Sequence, residues 1–318
     1  MDRKTKLTTF VPDLMNDWNN YKKGLKGLKI TNWCISSDYC FSNENKLDVA
    51  TFTIFPFEYM RLIYDDIKKN LPRDIKCKRN FTQNELNYIK NSKYFFSISI
   101  ILYNLETSFN KEDAIKQIAK LLKKNITDIP FHIENEDFNK IKKSLREYLN
   151  NLKKKNCPIK LLSQIYFVAQ FVAQLMEFLL IKENGKCVGL CPDRGHIDSF
   201  NHGIIYNLVQ THIHKLINNR VKDFRLASPP TEQSKDNIDI RDAFIRIPDI
   251  ITGALSSLIP IENGITAQQP KHIEIINQCL VNNNKMIHLI YDFDKNGKPI
   301  AHRAYFEAID KYPLLKYN

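Results

Sequence analysis

The sequence predicts an α/β fold, and three features of its 318 residues carry that prediction. Strand-length runs of β-branched and aromatic residues crowd the first third, segments of helical periodicity precede two later runs, and the composition is globular, 43% hydrophobic and 11% aromatic. Residues 29–37 (KITNWCISS) read as a first strand that ends at Asp38. A polar turn at Ser42–Lys46 leads into a second, Asp48–Phe55, so the pair forms an antiparallel hairpin. Pro56 closes it, and Glu58–Asn70 places Met60, Ile63, Ile67 and Leu71 on one helical face. Lys93–Tyr103 (KYFFSISIILY) is a third, buried strand. Lys111–Lys155 reads as charged helices broken at Pro130, an inserted helical hairpin.

Pro158 opens an apolar helix that runs to Lys182. Lys186–Cys191 is a fourth strand, terminated by Pro192 and Asp193, and Ser199 caps a helix through Asn218. Asp223–Ser228 is the fifth strand. After a polar loop at Pro229–Asp239, a helix is entered at Pro248, a favoured first-turn position, and runs to Leu258. Gln269–Asn282 is a further helix. Met286–Phe293 and Pro299–Phe306 form a hairpin around Lys295-Asn296-Gly297, where Asn-Gly supplies the positive φ angles of a tight turn. Three strands expected to be antiparallel, then two strands each preceded by a helix, is not the order of a doubly wound fold. The expected division is a core of residues 1–105 and 158–260, a helical insertion at 106–157 and a C-terminal helix-plus-hairpin extension at 261–318.

Composition removes several function classes. Only 9 Gly occur and no GxGxxG or GxxxxGK[ST] string exists, so neither a Rossmann nor a P-loop site has support. The 7 Cys are odd in number, contain no CxxC, and have no ligands at zinc spacing, which fits free thiols in a reducing, cytoplasmic compartment. Met1–Lys6 is charged with no apolar stretch behind it, so no secretory signal is expected. Leu161–Ile181 is long enough to span a bilayer, yet Gln164, Gln170, Gln174 and Glu177 interrupt it, and a buried helix is the expectation. The net charge of +12 is spread over short lysine runs such as Lys76/Lys78/Arg79 and Lys153/Lys154/Lys155. That pattern fits either a solvated lysine-rich surface or a polyanion partner, most often nucleic acid.

Four acids occupy positions from which carboxylates can converge on a hard cation. Asp38 ends the first strand and Asp193 the fourth; Glu177 completes a stripe with Gln170 and Gln174 on the apolar helix; Asp249 starts the helix after the fifth strand. Mg²⁺ takes oxygen ligands, and rigid elements must hold them. Each acid also has a plain structural reading. Asp38 and Asp193 suit turns, Glu177 suits a solvent stripe, and Asp249 suits the positive end of a helix dipole.

Taken in chain order, strand-end Asp, helical Glu, strand-end Asp and helix-start Asp resemble the ribonuclease H-like nuclease superfamily. CPDRGHID before a helix, and IRIPDIITGALSSL after a polar loop, are similar to a group of uncharacterised bacterial proteins of that fold, which often accompany mobile elements or defence loci. In that group the last motif reads apolar-Gln-apolar-Ala-Asp-apolar-apolar-Ala-Gly. Here Arg246 stands for the Gln, Pro248 for the Ala, and Asp249 and Gly253 match. The resemblance covers roughly residues 29–105 and 158–260. It implies a mixed five-stranded sheet flanked by helices and a Mg²⁺- or Mn²⁺-dependent nuclease acting on DNA or RNA. Asp38, Glu177, Asp193 and Asp249 would be the metal ligands, with Arg194, His196 and Arg246 as accessory groups. The first strand departs from the group's pattern of Asp, then Glu or Ser, then Gly: Tyr39 follows Asp38 and no Gly comes after it. That departure keeps open an alternative, a catalytically degenerate module of the same fold that binds nucleic acid or protein. Oligomerisation through the tail hairpin fits either reading.

Rival constellations are weaker. His212 and His214 are two apart on a helix and face different ways, and Asp198 with His202 is a lone pair. The EF-hand-like start at Asp292 has Arg303 where a bidentate Glu is needed. Cys191 and His196 lack a group to orient the imidazole.

Overall fold

The computed structural model describes residues 11, 13–41, 46–73, 78–102, 111–128, 136–154, 156, 158–193, 195–200, 203–217, 225–227, 235–261, 264–293, 299–309 and 312–317. Its elements follow in chain order. Helix α1 (Leu14–Gly24) precedes the hairpin of β1 (Asn32–Cys40) and β2 (Asp48–Pro56), and α2 (Met60–Asn70) and α3 (Gln83–Asn91) lead to β3 (Phe96–Leu102). Thr82 begins α3 with a capping box: its hydroxyl accepts from the Glu85 N–H while the Glu85 carboxylate takes the Thr82 N–H. Three long helices follow, α4 (Lys111–Asp128), α5 (Glu136–Asn151) and α6 (Ile159–Ile181). Next come β4 (Cys187–Pro192), α7 (His196–Ser199), α8 (Ile204–Ile217) and β5 (Arg225–Ala227). Helix α9 (Lys235–Ser256) runs into a small hairpin, β6 (Leu258–Ile261) and β7 (Gly264–Ala267). The chain ends through α10 (Pro270–Ile275), a π-helical turn (Ile276–Leu280), β8 (Met286–Phe293), β9 (Pro299–Ile309) and β10 (Tyr312–Tyr317).

Eight strands form one mixed sheet in the order β10-β9-β8-β3-β2-β1-β4-β5. β1, β2 and β3 pair antiparallel as expected, whereas β4 lies parallel to β1. The C-terminal hairpin, expected as an extension of the core, joins the same sheet. β8 pairs parallel with β3, from Ser97 with Met286 to Leu102 with Tyr291, and so widens the expected five-stranded sheet. The Asn296-Gly297 turn, the Pro130 break and the turn at Ser42 fall outside the described residues.

The chain divides into two compact units. One holds residues 8–103, 185–193 and 227–318; the other holds 1–7, 104–184 and 194–226. The expected boundary is therefore displaced: α6 was grouped with the sheet but belongs to the helical unit. Its sequence is apolar nearly all round, and it packs there against α4 and α8. The Tyr148 hydroxyl on α5 donates to the Leu162 carbonyl at 2.7 Å and ties these two helices together. Among the described residues α6 is the one helix long and apolar enough to cross a membrane, and 83% of its most apolar window is buried in the protein.

In the sheet unit each face has its own cover. On one face, Trp18 of α1 packs its ring against Trp33 and Phe96, with centroids 5.3 and 5.1 Å away. A buried ion pair between Asp17 and Arg303 ties α1 to β9. On the other face lies α9. Its start was misread from sequence: instead of opening at Pro248, the helix begins at Lys235 and carries Pro248 inside it. An interior proline removes one backbone hydrogen bond and costs about 3 kcal/mol. Against this, Ala243, Phe244, Ile247, Ile250, Ile251, Ala254 and Leu255 recur at helical spacing straight through Pro248, and all are buried. That apolar stripe holds the helix on β1 and β2, so packing overrides the local signal. The helix expected from Ser199 likewise starts at Ile204, after the short α7.

Phe244 anchors α9 edge-on to Phe55 of β2, with ring centroids 4.8 Å apart. Phe244→Ala is expected to lower stability by about 3–5 kcal/mol through lost burial and the cavity left behind. Urea unfolding measures the loss, and a change below about 1 kcal/mol would show that this contact does not hold the helix in place.

Candidate active site

Asp38 does not end its strand. β1 continues to Cys40, and Asp38 sits inside it opposite Thr51 of β2, only 7% exposed. On the other side of β1 the parallel register runs from Asn32 with Cys187 to Ser37 with Pro192. The Asp193 N–H then donates to the Ser37 carbonyl at 2.8 Å, continuing the ladder one residue past β4. Asp193 thereby comes level with Asp38, and in adjacent level positions two side chains share one face of a sheet. The face is the one α9 covers. From that helix Asp249, Thr252, Gly253 and Ser256 point to the same cleft, their spacing of i, i+3, i+4 and i+7 marking one helical stripe. The Thr252 hydroxyl donates to the Asp38 carbonyl at 3.4 Å. The cleft encloses about 310 Å³, and its far wall is made by Lys46, Gln269, Lys271 and His272.

Burial, then the charges of Asp249 and Asp193, push the Asp38 carboxyl up to about 8. The Tyr39 N–H and the Thr252 hydroxyl offset part of this by bonding to the ionised form. Three carboxyl groups from separate elements are thus close enough to feel one another. Tyr39, the bulky residue that casts doubt on the first motif, does not fill this space with its ring. Its hydroxyl lies 2.6 Å from Ser37 Oγ and its ring meets Phe41 and Phe52 on the opposite face of the sheet. Alternation along β1 leaves the backbone of Tyr39 as its contribution to the Asp38 side.

His272 closes the other end. Its Nδ1 is 2.8 Å from Ser257 Oγ, and the single Ser257 hydroxyl proton goes to the Ala254 carbonyl at 2.9 Å. Ser257 Oγ must therefore accept from Nδ1–H, which leaves Nε2 as the lone-pair nitrogen. That nitrogen stands 3.6 Å from where a Cβ on Gly253 would lie, ordinary contact distance. Burial, with the Lys271 and Lys46 ammonium groups beside it, lowers the His272 imidazole to about 4. It is neutral at neutral pH. Lys271 is only 5% exposed and donates to the Lys78 carbonyl at 3.0 Å.

Of the four acids singled out in the sequence, the sheet unit gathers Asp38, Asp193 and Asp249. Glu177 lies on α6 in the helical unit, 1% exposed and therefore not on a solvent stripe. Asp249 stands in the middle of α9, so a helix-dipole role at a first turn is excluded. Arg246 is buried on the same helix and its Nη1 donates to the Leu71 carbonyl at 2.9 Å; it is not among the residues lining the cleft. Arg194 and His202 fall outside the described residues, and His196 and Asp198 lie on the backbone of α7. Lys46, Lys271 and His272 went unread in the sequence; a Lys-His pair one residue beyond the Pro that opens a helix was the available signal. Among the described residues no three His, Cys, Asp or Glu form a group that could hold a metal ion. The oxygen donor set suits a hard divalent cation, but these carboxylates are gathered without being closed into a cage. Cys34, Cys40 and Cys279 are free thiols. No family model, no curated protein and no solved structure matches the chain.

The protonated Asp38 has a signature in pH. Its folded value, about 8, lies above the 3.8 of an unperturbed carboxyl. Between those values the folded state keeps a proton that the unfolded state has released, so stability falls as pH rises, by at most about 1.4 kcal/mol per unit. Asp38→Asn cannot release that proton. Urea unfolding at pH 5 and pH 8 without divalent ions should show wild type losing more stability over that interval than the variant; equal losses would mean that Asp38 is ionised throughout.

Proposed function

We propose that this chain is a Mg²⁺- or Mn²⁺-dependent nuclease of ribonuclease H-like fold, hydrolysing phosphodiester bonds of DNA or RNA. The observation that carries the reading is the convergence of Asp38, Asp193 and Asp249, from two neighbouring strands and a covering helix, on one cleft. The run β3-β2-β1-β4-β5, antiparallel across the first three strands and parallel between β1 and β4, supports the fold assignment. The net charge of +12 supports a polyanionic substrate. The free thiols accord with a reducing, cytoplasmic setting.

Asp38, Asp193 and Asp249 would hold the cation. A divalent ion held there would supply Lewis acidity toward the phosphoryl oxygens and would make a nearby water more acidic. The rest falls to the protein. Asp38 gives up the proton it retains in the free protein, and the rigid β1–β4 ladder holds its carboxylate level with that of Asp193. Thr252 fixes the Asp38 backbone from α9. Lys46 and Lys271 offset the charge of the substrate, and the unprotonated Nε2 of His272 accepts a hydrogen bond from a hydroxyl or a water.

A second reading has one observation in its favour: the carboxylates do not form a ready metal cage among the described residues. In that reading the fold binds nucleic acid, or a protein partner, without cutting. The two readings part on activity. Purified protein is expected to cut nucleic acid with Mg²⁺ or Mn²⁺ and not with EDTA. Asp193→Asn and Asp249→Asn should each lower the rate by about 10²-fold or more while the protein stays folded. Full activity in both variants would sink the nuclease reading.

A substrate-free test uses thermal unfolding. A cation that binds only the native state stabilises it by about 2.7 kcal/mol at a hundred times its Kd, so the Tm should climb with Mn²⁺. Asp249→Asn should raise the Tm of the metal-free protein by relieving repulsion, and should erase most of the metal-induced gain. A wild-type Tm that does not respond to millimolar Mn²⁺ would move the assignment to the binding module.

A further inference from the structure

The cleft is electrically polarised along its length. At one end stand Asp38, Asp193 and Asp249, the first two brought level by the bond from the Asp193 N–H to the Ser37 carbonyl. At the other, His272 feels the positive charges of Lys271 and Lys46. All six residues line the same cavity. Both lysines are held in place. The Leu47 N–H donates to the Ser256 carbonyl at 2.9 Å, which fastens the backbone next to Lys46 to the end of α9. Lys271 is fastened by its bond to the Lys78 carbonyl. Among the described residues Lys46 has no hydrogen-bond or ion-pair partner, and it lines the cavity.

We propose that the Lys46–Lys271 end of the cleft is a subsite for a second phosphate, the one next to the phosphodiester that lies at the aspartate end, so that the substrate is a polynucleotide strand and not a single nucleotide. The proposal rests on the nuclease reading of the aspartate end. A strand carries phosphates in succession, and two poles of opposite sign in one cavity suit such a chain. The acidic pole needs a cation between it and any phosphate, while the basic pole takes a phosphate directly. The basic pole therefore binds and sets the register, and it does so without metal.

That independence supplies the test. Binding of a fluorescent single-stranded oligonucleotide of about a dozen nucleotides is measured by anisotropy in EDTA over a range of salt. The same protein preparations are assayed for cutting with Mn²⁺. Each phosphate neutralised on a single strand contributes about 0.7 to the slope of log K against log[salt]. Lys46→Ala should weaken binding about fivefold at low salt and flatten the slope by about that amount, and Lys46→Arg should restore both. Lys46 is partly exposed, so its loss should leave the Tm unchanged; Lys271→Arg probes the buried partner without removing its charge and should keep the wild-type slope. Asp249→Asn should bind at least as well as wild type. Wild-type affinity and slope in Lys46→Ala would overturn the subsite even if the enzyme cuts. Lys46-dependent binding in a protein that never cuts would support the subsite and sink the nuclease reading. A wild type that does not bind in EDTA at low salt would overturn the subsite, and cutting with Mn²⁺ would then decide the nuclease reading by itself.

Discussion

The register between β1 and β4 is the constraint on which the rest of the site depends. Ser37 stands beside Pro192, and the next hydrogen bond, from the Asp193 N–H to the Ser37 carbonyl, brings Asp193 level with Asp38. A slip of one residue would turn one carboxylate to the opposite face of the sheet and separate the pair. Arg241 secures the same corner from α9, its guanidinium donating twice to the Pro192 carbonyl at 3.1 and 2.7 Å. The strand that ends in Asp193 is thus clamped on both sides, by the β1 ladder and by the helix that contributes Asp249.

Holding acids in a covered site has consequences for the packing around it. The sheet face beneath α9 is not uniformly apolar. Asp38, Thr51, Ser99 and His288 stand level with one another across four strands, two of them joined by a Thr51–Ser99 hydroxyl contact of 3.1 Å. One step along, Thr53 and Ser97 pair at 2.9 Å. Small hydroxyl residues in this row satisfy each other and leave room above for a helix, whereas buried polar groups without partners are costly. Among the described residues Ser36 Oγ is buried on the same face without a partner, and so is His288. It is fully buried with neither ring nitrogen bonded, and burial with the nearby Arg303 charge holds its imidazole down at about 3. The ring is therefore neutral and packs like an aromatic side chain, edge-on to Phe306.

The C-terminal strands take part in this layout. By pairing β8 with β3, the chain covers what would have been an open edge beside the central strands and extends the sheet with β9 and β10. Arg303 on β9 reaches Asp17 of α1, a pair buried on both sides. The last sixty residues are structural neighbours of the core, and their α10 also brings Lys271 and His272 to the cleft.

Much of the architecture was legible in the sequence because it is local. The strands at Asp48–Pro56 and Phe96–Leu102, the long apolar helix and the terminal hairpin all declare themselves through periodicity and turn residues. Asp38, Asp193 and Asp249 were found because acids flank strands and an apolar helix face in a recognisable order. What the sequence did not reveal depends on distant pairing or packing. Pro248 reads as a helix start, but a buried stripe on both sides of it binds α9 to the sheet more strongly than one missing hydrogen bond loosens it. Tyr39 reads as an obstruction, but strand alternation sends its ring to the other face. Lys46 and His272 lie more than two hundred residues apart in the chain and carry no mutual pattern; the turn of α9 into its hairpin brings them together. Sequence alone determined the strands, the long apolar helix and the terminal hairpin, and it singled out the acids without placing them correctly in their elements. Only the tertiary structure decided which side chains share a face, because register and helix docking are set by the burial of the whole sheet and not by any one segment.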